Sequence, residues 1–465
     1  MDRKYGKRKL KIIEYIIEIL NKTSVIKIGI SICLCISIIM TSCISVSAQT
    51  YELDTYYEIG AGNTTYSYDD LLSTFRANSI TYKRNMLEYQ IQALNGTLAD
   101  ENHSNINAQH VDILSRLEEL EQTKRALIEY KKALLSQEAH VVTGSAISLD
   151  NTNKDEITEL ITEIDNQIVN IDAQILQYKS TKSTVETNLS EARLSKNISS
   201  FYSSYKSLIE QEAKKKLENE FLKQCYSLII YQEQLNYYKA YHEYLSLIRN
   251  VDSIRYRYGL VTKIVLDIDE VNILHNERVI NENTYSYNAS INAIVRDTGI
   301  MNESRIKLPL FSNKKSYNFE IKTLEFINKN SGHQQILNYI RSYHEYKDYA
   351  KTSSYTSYRQ NEMQIDYYKL QKQELQDSIR AYVIKAINSY EKAIKAQEAS
   401  WKELQLKDNQ YNTLITKHQY KRASQLEVAK GLYEKEAAKL AYYQSCYESI
   451  IWQDILDNCI YGATP

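Results

Sequence analysis

Apolar residues recur along much of this chain at alternating spacings of four and three, the period of amphipathic helices packed side by side. The clearest run is Ile157, Ile161, Ile164, Ile168, Ile171, Ile175, Tyr178, Lys182, Val185 and Leu189, with a single polar exception. A helix over 155–196 would be roughly 63 Å long at ~1.5 Å per residue. Upstream, Ile113, Leu117, Leu120, Leu127 and Leu134 follow a heptad, with Lys124 and Lys131 at two of its seam sites. One break, Val141 to Asp155, separates the two runs, so the pattern predicts an antiparallel coiled-coil hairpin over 106–196. Helical pattern begins near Tyr68, after a polar lead-in over 49–66. It continues through 198–256, then from Thr262 to about Gly299. The segment 301–328, holding Leu308-Pro309-Leu310, reads as a linker. Helix is expected again from Gly332 to Ala350, over 363–417, and from Ser424 to about Asp457.

Composition agrees. The 465 residues include 2 Pro and 11 Gly, against the roughly 23 and 33 of ordinary usage. So few turn formers exclude a meander of short strands or tight βα units. The 41 Tyr read as compositional bias, and Tyr237, Tyr241 and Tyr244 as packing between helices. A net charge of −1 gives no electrostatic case for nucleic acid. Residues 1–27 carry +5 and 28–48 no charge, ending in Val46-Ser47-Ala48. This predicts a signal peptide over 1–48, with a retained anchor or lipidation at Cys43 as alternatives. All three place the rest of the chain outside the cytoplasmic membrane.

No catalytic pattern is expected to operate. His242-Glu243 and His344-Glu345 lack a second metal ligand at the required spacing, and no phosphate loop or nucleophile elbow occurs. Cys225, Cys446 and Cys459 show no metal spacing and read as buried apolar side chains. The expectation is a protein without catalytic residues, metal or cofactor.

The most informative feature is an internal repeat. Tyr258 and Tyr420, like Thr262 and Ser424, lie 162 residues apart, and Gly299 and Gly462, expected to close the following helices, lie 163 apart. In each copy a long helix enters a short turn and a second helix runs back. Gly259 suits a left-handed helix end and Thr262 an N-cap. Ser424 and Glu427 form a Ser-x-x-Glu capping box.

The stretch Arg257-Tyr258-Gly259-Leu260-Val261-Thr262, with Asp297-Thr298-Gly299 closing the next helix, resembles the repeat of TolC-type outer membrane efflux proteins. Tyr420 to Gly462, including Leu440-Ala441-Tyr442-Tyr443-Gln444, is similar to that family's second repeat. The resemblance implies an all-α body of elongated antiparallel hairpins. A first repeat would span 49–300, with the hairpin 106–196 inserted, and a second 329–465. It further implies a homotrimer forming a hollow cylinder in the outer membrane. A docking tip for a periplasmic adaptor of an exporter would be built from Arg257, Tyr258, Gly259, Leu260, Thr262, Tyr420, Lys421, Ala423 and Ser424. Two departures stand out. Lys421 sits where the family usually has Gly, and Arg422 where it often has a small or apolar residue. The breaks near 141–154 and 351–362 are too short for the paired strands of ~9–11 residues each that a transmembrane barrel needs. The expected function is therefore a passive conduit or docking body of an efflux or secretion system, with little or no β structure. The alternative is an exported coiled-coil interaction or structural protein of the envelope. A membrane-inserting helical toxin ranks last, because the mature chain holds no run of 18 apolar residues.

Overall fold

The computed structural model describes residues 56–60, 62, 64–143, 151–300, 304–310 and 314–465. The expected export segment and the hairpin turn at 144–150 lie outside the described residues. Of the described residues 88% are helical and 3% in strands, with no closed barrel, so the all-α expectation holds. Strands β1 (Tyr56–Ile59) and β2 (Thr65–Ser67) precede α1 (Tyr68–Asn78) and α2 (Ile80–Thr143). Then come α3 (Asn151–Ser204), α4 (Lys206–Arg257), α5 (Lys263–Thr298) and β3 (Arg305–Pro309). The chain closes with α6 (Phe319–Lys329), α7 (Ser331–Ser353), α8 (Tyr355–Gln419) and α9 (Gln425–Asn458).

The 4-3 pattern places its side chains as expected. In the α2–α3 hairpin Ile113, Leu117, Ile175 and Val185 form a buried cluster, with Leu120, Ile171 and Tyr178 packed against it. The two seam lysines are accommodated by charge: Lys131 pairs with Asp165 at 2.5 Å and Lys124 with Asp172 at 2.5 Å, while their stems cover the seam. Helices α3 and α4 join almost without interruption. Tyr205 N–H donates to Phe201 O at 2.8 Å and its carbonyl accepts from Ile209 at 3.0 Å, so hydrogen bonding runs through the break.

Two segments read as irregular meet instead in one sheet. β3 lies in the predicted linker and pairs antiparallel with β1 (Tyr56 opposite Pro309, Ile59 opposite Ile306) and parallel with β2. β1 and β2 are too short to show period-two alternation, β3 alternates over only the five residues Arg305–Pro309, and the pairing spans more than 200 residues of sequence, so local pattern did not reveal the sheet. Gly60 makes the turn possible: its φ is +93°, and a Cβ there would fall 2.4 Å from the Ser304 carbonyl oxygen. Ile59, Ile306 and Leu308 join the main core with Phe75, Phe221, Tyr226, Phe326, Tyr390 and Tyr442. Phe75 and Phe221 stack at 4.3 Å, and the Tyr226 hydroxyl donates to the Pro309 carbonyl.

The polar patch at 351–362 is helical. The only residue between α7 and α8 is Ser354, whose hydroxyl accepts the Ser357 amide at 3.0 Å. Lys347, Tyr358 and Arg359 gather on Glu362 and hold the patch in helix. The repeat ends differently from expectation as well. Gly299 caps α5 with φ +73°, but α9 is capped by Cys459 at φ +55°, three residues before Gly462. The second returning helix is two residues shorter, 34 against 36, so the left-handed position falls on a non-glycine.

Packing arranges the long helices in two layers stacked end to end, since α3 runs on into α4 and α8 belongs to both. One runs α2, α3, α7, α8, and the other α5, α4, α9, α8. The core and the small sheet sit where the layers meet.

Candidate functional site

Tyr241 and Tyr244 of α4 pack on Tyr433 of α9 at 5.4 and 4.9 Å. Deeper in this interface Glu233, 1% exposed, accepts from Tyr57 Oη at 2.5 Å and pairs with Lys439 at 3.1 Å. These contacts fix α4 antiparallel to α9. Both repeat turns therefore come to the same end of the molecule. The tyrosine series is helix packing, as the sequence suggested.

The two tips share one backbone geometry. At the first, Tyr258 N–H donates to Ile254 O at 3.3 Å, Gly259 to Tyr256 O at 2.9 Å and Leu260 to Arg255 O at 2.9 Å. At the second, Tyr420 donates to Thr416 O at 3.3 Å, Lys421 to His418 O at 2.9 Å and Arg422 to Lys417 O at 2.7 Å. Every donor and acceptor is displaced by the same 162 positions. Gly259 takes φ +70° and Lys421 φ +57°, so the lysine occupies the left-handed position that glycine fills in the first copy.

Their caps differ. Ser424 completes a capping box: Glu427 N–H donates to Ser424 Oγ at 3.2 Å, and the Ser424 amide donates to Glu427 Oε2 at 2.7 Å. These bonds from the Ser424 amide and hydroxyl hold the Glu427 carboxyl below the ordinary carboxylate range. Thr262 stands at the matching N-cap position but makes no side-chain cap bond, which corrects the expectation. Its own carbonyl takes the Val265 amide at 3.1 Å, and Val265 has no carboxylate to return the bond. Of the nine expected tip residues, Ala423 is half-buried and the other eight are exposed. Tyr258 is 77% and Leu260 72% exposed, beside Ile264 at 67%. The second tip presents Tyr420 among Lys417, Lys421 and Arg422.

A second feature escaped the sequence reading. The outer edges of both layers carry exposed apolar seams: Leu87, Ile91, Leu94 and Leu98 on α2; Met363, Tyr367 and Leu370 on α8; Ile264, Ile268 and Val271 on α5. The Leu98 end of the α2 seam lies level with the Leu370 end of the α8 seam. Asp100 pairs with Lys196 at 3.3 Å, Asn338 donates to Asn197 O at 3.0 Å, and Tyr339 stacks on Tyr368 at 4.7 Å. The same 4-3 spacing that marks the buried seams was the available signal. Sequence does not say which seams the chain itself covers.

The three thiols are free and buried, as expected, and burial pushes the Cys446 thiol up to about 12. Among the described residues no group of three or more His, Cys, Asp or Glu is placed to hold a metal ion. None of the described helices is long and apolar enough to cross a membrane. The arrangement offers contact surfaces at the tips and along the edges.

No family model matches the sequence, and neither does any curated protein. Among solved structures the chain is similar to outer membrane channels of the TolC type. The Campylobacter jejuni CmeC outer membrane channel is 11% identical, with 61% of this chain and 67% of that one covered at a TM-score of 0.37. The outer-membrane channel OprN is 10% identical over 59% and 71%, at 0.44. The open-state Neisseria gonorrhoeae MtrE outer membrane channel is 11% identical over 59% and 72%, at 0.41.

Proposed function

We propose that the protein is an exported, non-catalytic component of an efflux or secretion assembly in the cell envelope. Three copies would close into a ring by packing the α2 edge of one on the α8 edge of the next, and the paired tips would dock on a periplasmic adaptor. The observation that carries this reading is the pair of exposed apolar seams on opposite edges of one layer, level with each other at their Leu98 and Leu370 ends. Two different, complementary edges make a head-to-tail contact, which closes as a ring when the rotation allows. Exposed apolar patches of this extent mark interaction surfaces. The tip residues Tyr258 and Leu260, with Tyr420, supply the apolar contacts at the docking end.

Light scattering on the purified chain tests the ring. A trimer is expected at micromolar concentration, and Ile91→Lys with Leu94→Lys should yield folded monomer. A monomeric parent protein that also binds no adaptor from its own genome rejects the conduit. The second reading, an exported interaction or structural protein, draws support from the long α2–α3 hairpin and from the unbroken helix at 355–362. A trimer that ignores every adaptor would favour it.

A further inference from the structure

Where α3 approaches α7, the 4-3 spacing persists but its chemistry changes. The series lining the gap on α3 is Ser183, Thr187, Ser190, Leu194 and Asn197. From α7 it is answered by Ser342, Tyr346 and Tyr349, at the same spacing. Such positions ordinarily hold aliphatic side chains that fill the space between helices. Serine and threonine are too small to do so, and an open-sided cavity of about 950 Å³ remains between α2, α3 and α7. That volume lies within the ~300–1,000 Å³ of small-molecule sites. Ser190 and Ser342 are only 8% and 2% exposed, so polar groups reach into the interior here.

We infer that this cavity binds a short neutral oligosaccharide. Charge on its wall is balanced, with Glu186 and Glu345 against Arg193 and Lys196. Both carboxylates are already engaged: Glu186 lies 3.4 Å from His110 and 3.6 Å from Lys182, and Glu345 accepts from the Asn197 amide at 2.6 Å. Lys196 pairs with Asp100 at 3.3 Å, and Glu191 stands beside Tyr346 against the charge of Arg193. The wall therefore offers no excess of either sign to a charged ligand. Its hydrogen-bonding groups are of mixed kind. The hydroxyls of the two series and the Asn107 amide both donate and accept, as sugar hydroxyls do. His103, Asn107 and Arg193 have no hydrogen-bond or ion-pair partner among the described residues. An apolar ligand covering these groups would strand them without water. The apolar part of the wall is aromatic. Tyr346 and Tyr349 adjoin at 5.6 Å, tilted by 42°, and give a bent surface for the C–H face of a sugar ring. Every wall residue belongs to one chain, so the inference does not depend on the ring.

Saturation-transfer NMR titrations of the full chain test it, with chitotriose and maltotriose as neutral probes and trigalacturonate as the charged control. A neutral trisaccharide should bind, with transfer strongest to its ring C–H protons, and trigalacturonate should bind roughly tenfold more weakly. Ser183→Leu with Thr187→Leu puts two apolar side chains into the cavity from exposed helix positions, where leucine supports the helix. It should weaken the neutral probe about tenfold at unchanged circular dichroism, and Tyr349→Ala should do the same. Co-sedimentation with insoluble chitin or amylose identifies the ligand as a segment of a polymer, and trisaccharide binding without it identifies a free sugar. The inference is overturned if neither neutral probe binds, or if trigalacturonate binds as well as they do. It is overturned equally if the folded double variant binds as tightly as the parent.

Discussion

The matched tips set up a reciprocal experiment. Gly259 and Lys421 hold the same turn with the same hydrogen bonds, at φ +70° and +57°. A Cβ at residue 259 would meet nothing within 4 Å, so Gly259→Ala introduces backbone strain without a clash. A left-handed residue with a Cβ costs roughly 1–2 kcal/mol, and the stiffer unfolded chain returns ~0.4–1 kcal/mol. The net loss is about 1 kcal/mol. Lys421→Gly runs the argument backwards and should gain about 1 kcal/mol. In a chain this long such changes barely move the melting temperature, so the assay must be local. Amide exchange at Leu260 and Arg422, the donors that close each turn, reads the free energy of opening. At ~1.4 kcal/mol per factor of ten, Leu260 should exchange about fivefold faster in Gly259→Ala and Arg422 about fivefold slower in Lys421→Gly. Changes of the same sign in both variants, or none in either, would refute the claim that backbone strain separates the tips.

Ser424→Ala should cost about 1 kcal/mol and speed exchange at the Glu427 amide, whereas Thr262→Ala, whose hydroxyl makes no cap bond, should leave the first tip nearly unchanged. Because Glu427 is held below its ordinary value, its contribution is complete above the normal carboxylate range and lost as pH falls through the lowered value. Acid should therefore loosen the second tip before the first, measured by exchange at both turns. Lys439→Met strands the buried Glu233 carboxylate and should cost about 3 kcal/mol in denaturant unfolding; adding Glu233→Gln should recover much of it, and a loss under ~1 kcal/mol in the single variant would contradict the pairing. Burial holds the Glu436 carboxyl above its ordinary value against the pull of Lys439, and its Oε2 lacks a hydrogen-bond partner. Stability from this group is present below the unfolded value and lost as pH rises through the folded one, so Glu436→Gln should stabilise at neutral pH and flatten that slope.

What the sequence made legible was whatever a local period encodes. Ile164, Ile175, Ile113 and Leu117 fall on one face because their spacing matches the helix, and that face is buried. The tips were legible because 162-residue spacing preserves Tyr258 in Tyr420 and Thr262 in Ser424. The sheet was not, since β1, β2 and β3 show their partners only in three dimensions. Ser354 was hidden among other serines and threonines, any of which could have capped a helix. The edge seams were visible as spacing but not as surfaces: Leu94 and Ile164 obey the same rule, and only packing separates the exposed residue from the covered one.

Equal geometry with unequal chemistry has a consequence for whatever meets the tips. The turn hydrogen bonds superpose residue by residue, so a partner gripping backbone alone would treat the two tips alike. Side chains break that equivalence: exposed Tyr258, Leu260 and Ile264 stand among Arg255, Arg257 and Lys263 at the first, while Lys417, Lys421 and Arg422 surround Tyr420 at the second. Each tip sets three cations against a partner, and desolvating them costs free energy unless carboxylates replace the water, so what differs is the apolar contact at the first. A partner built from a repeated helical hairpin must then present different residues to the two positions, or engage the first closely and the second at a distance. Salt separates these cases. Screening weakens the basic contact and leaves the apolar one, so an adaptor bound through both tips should retain only the Tyr258 and Leu260 contribution at high ionic strength, and Leu260→Ser should then abolish the remainder.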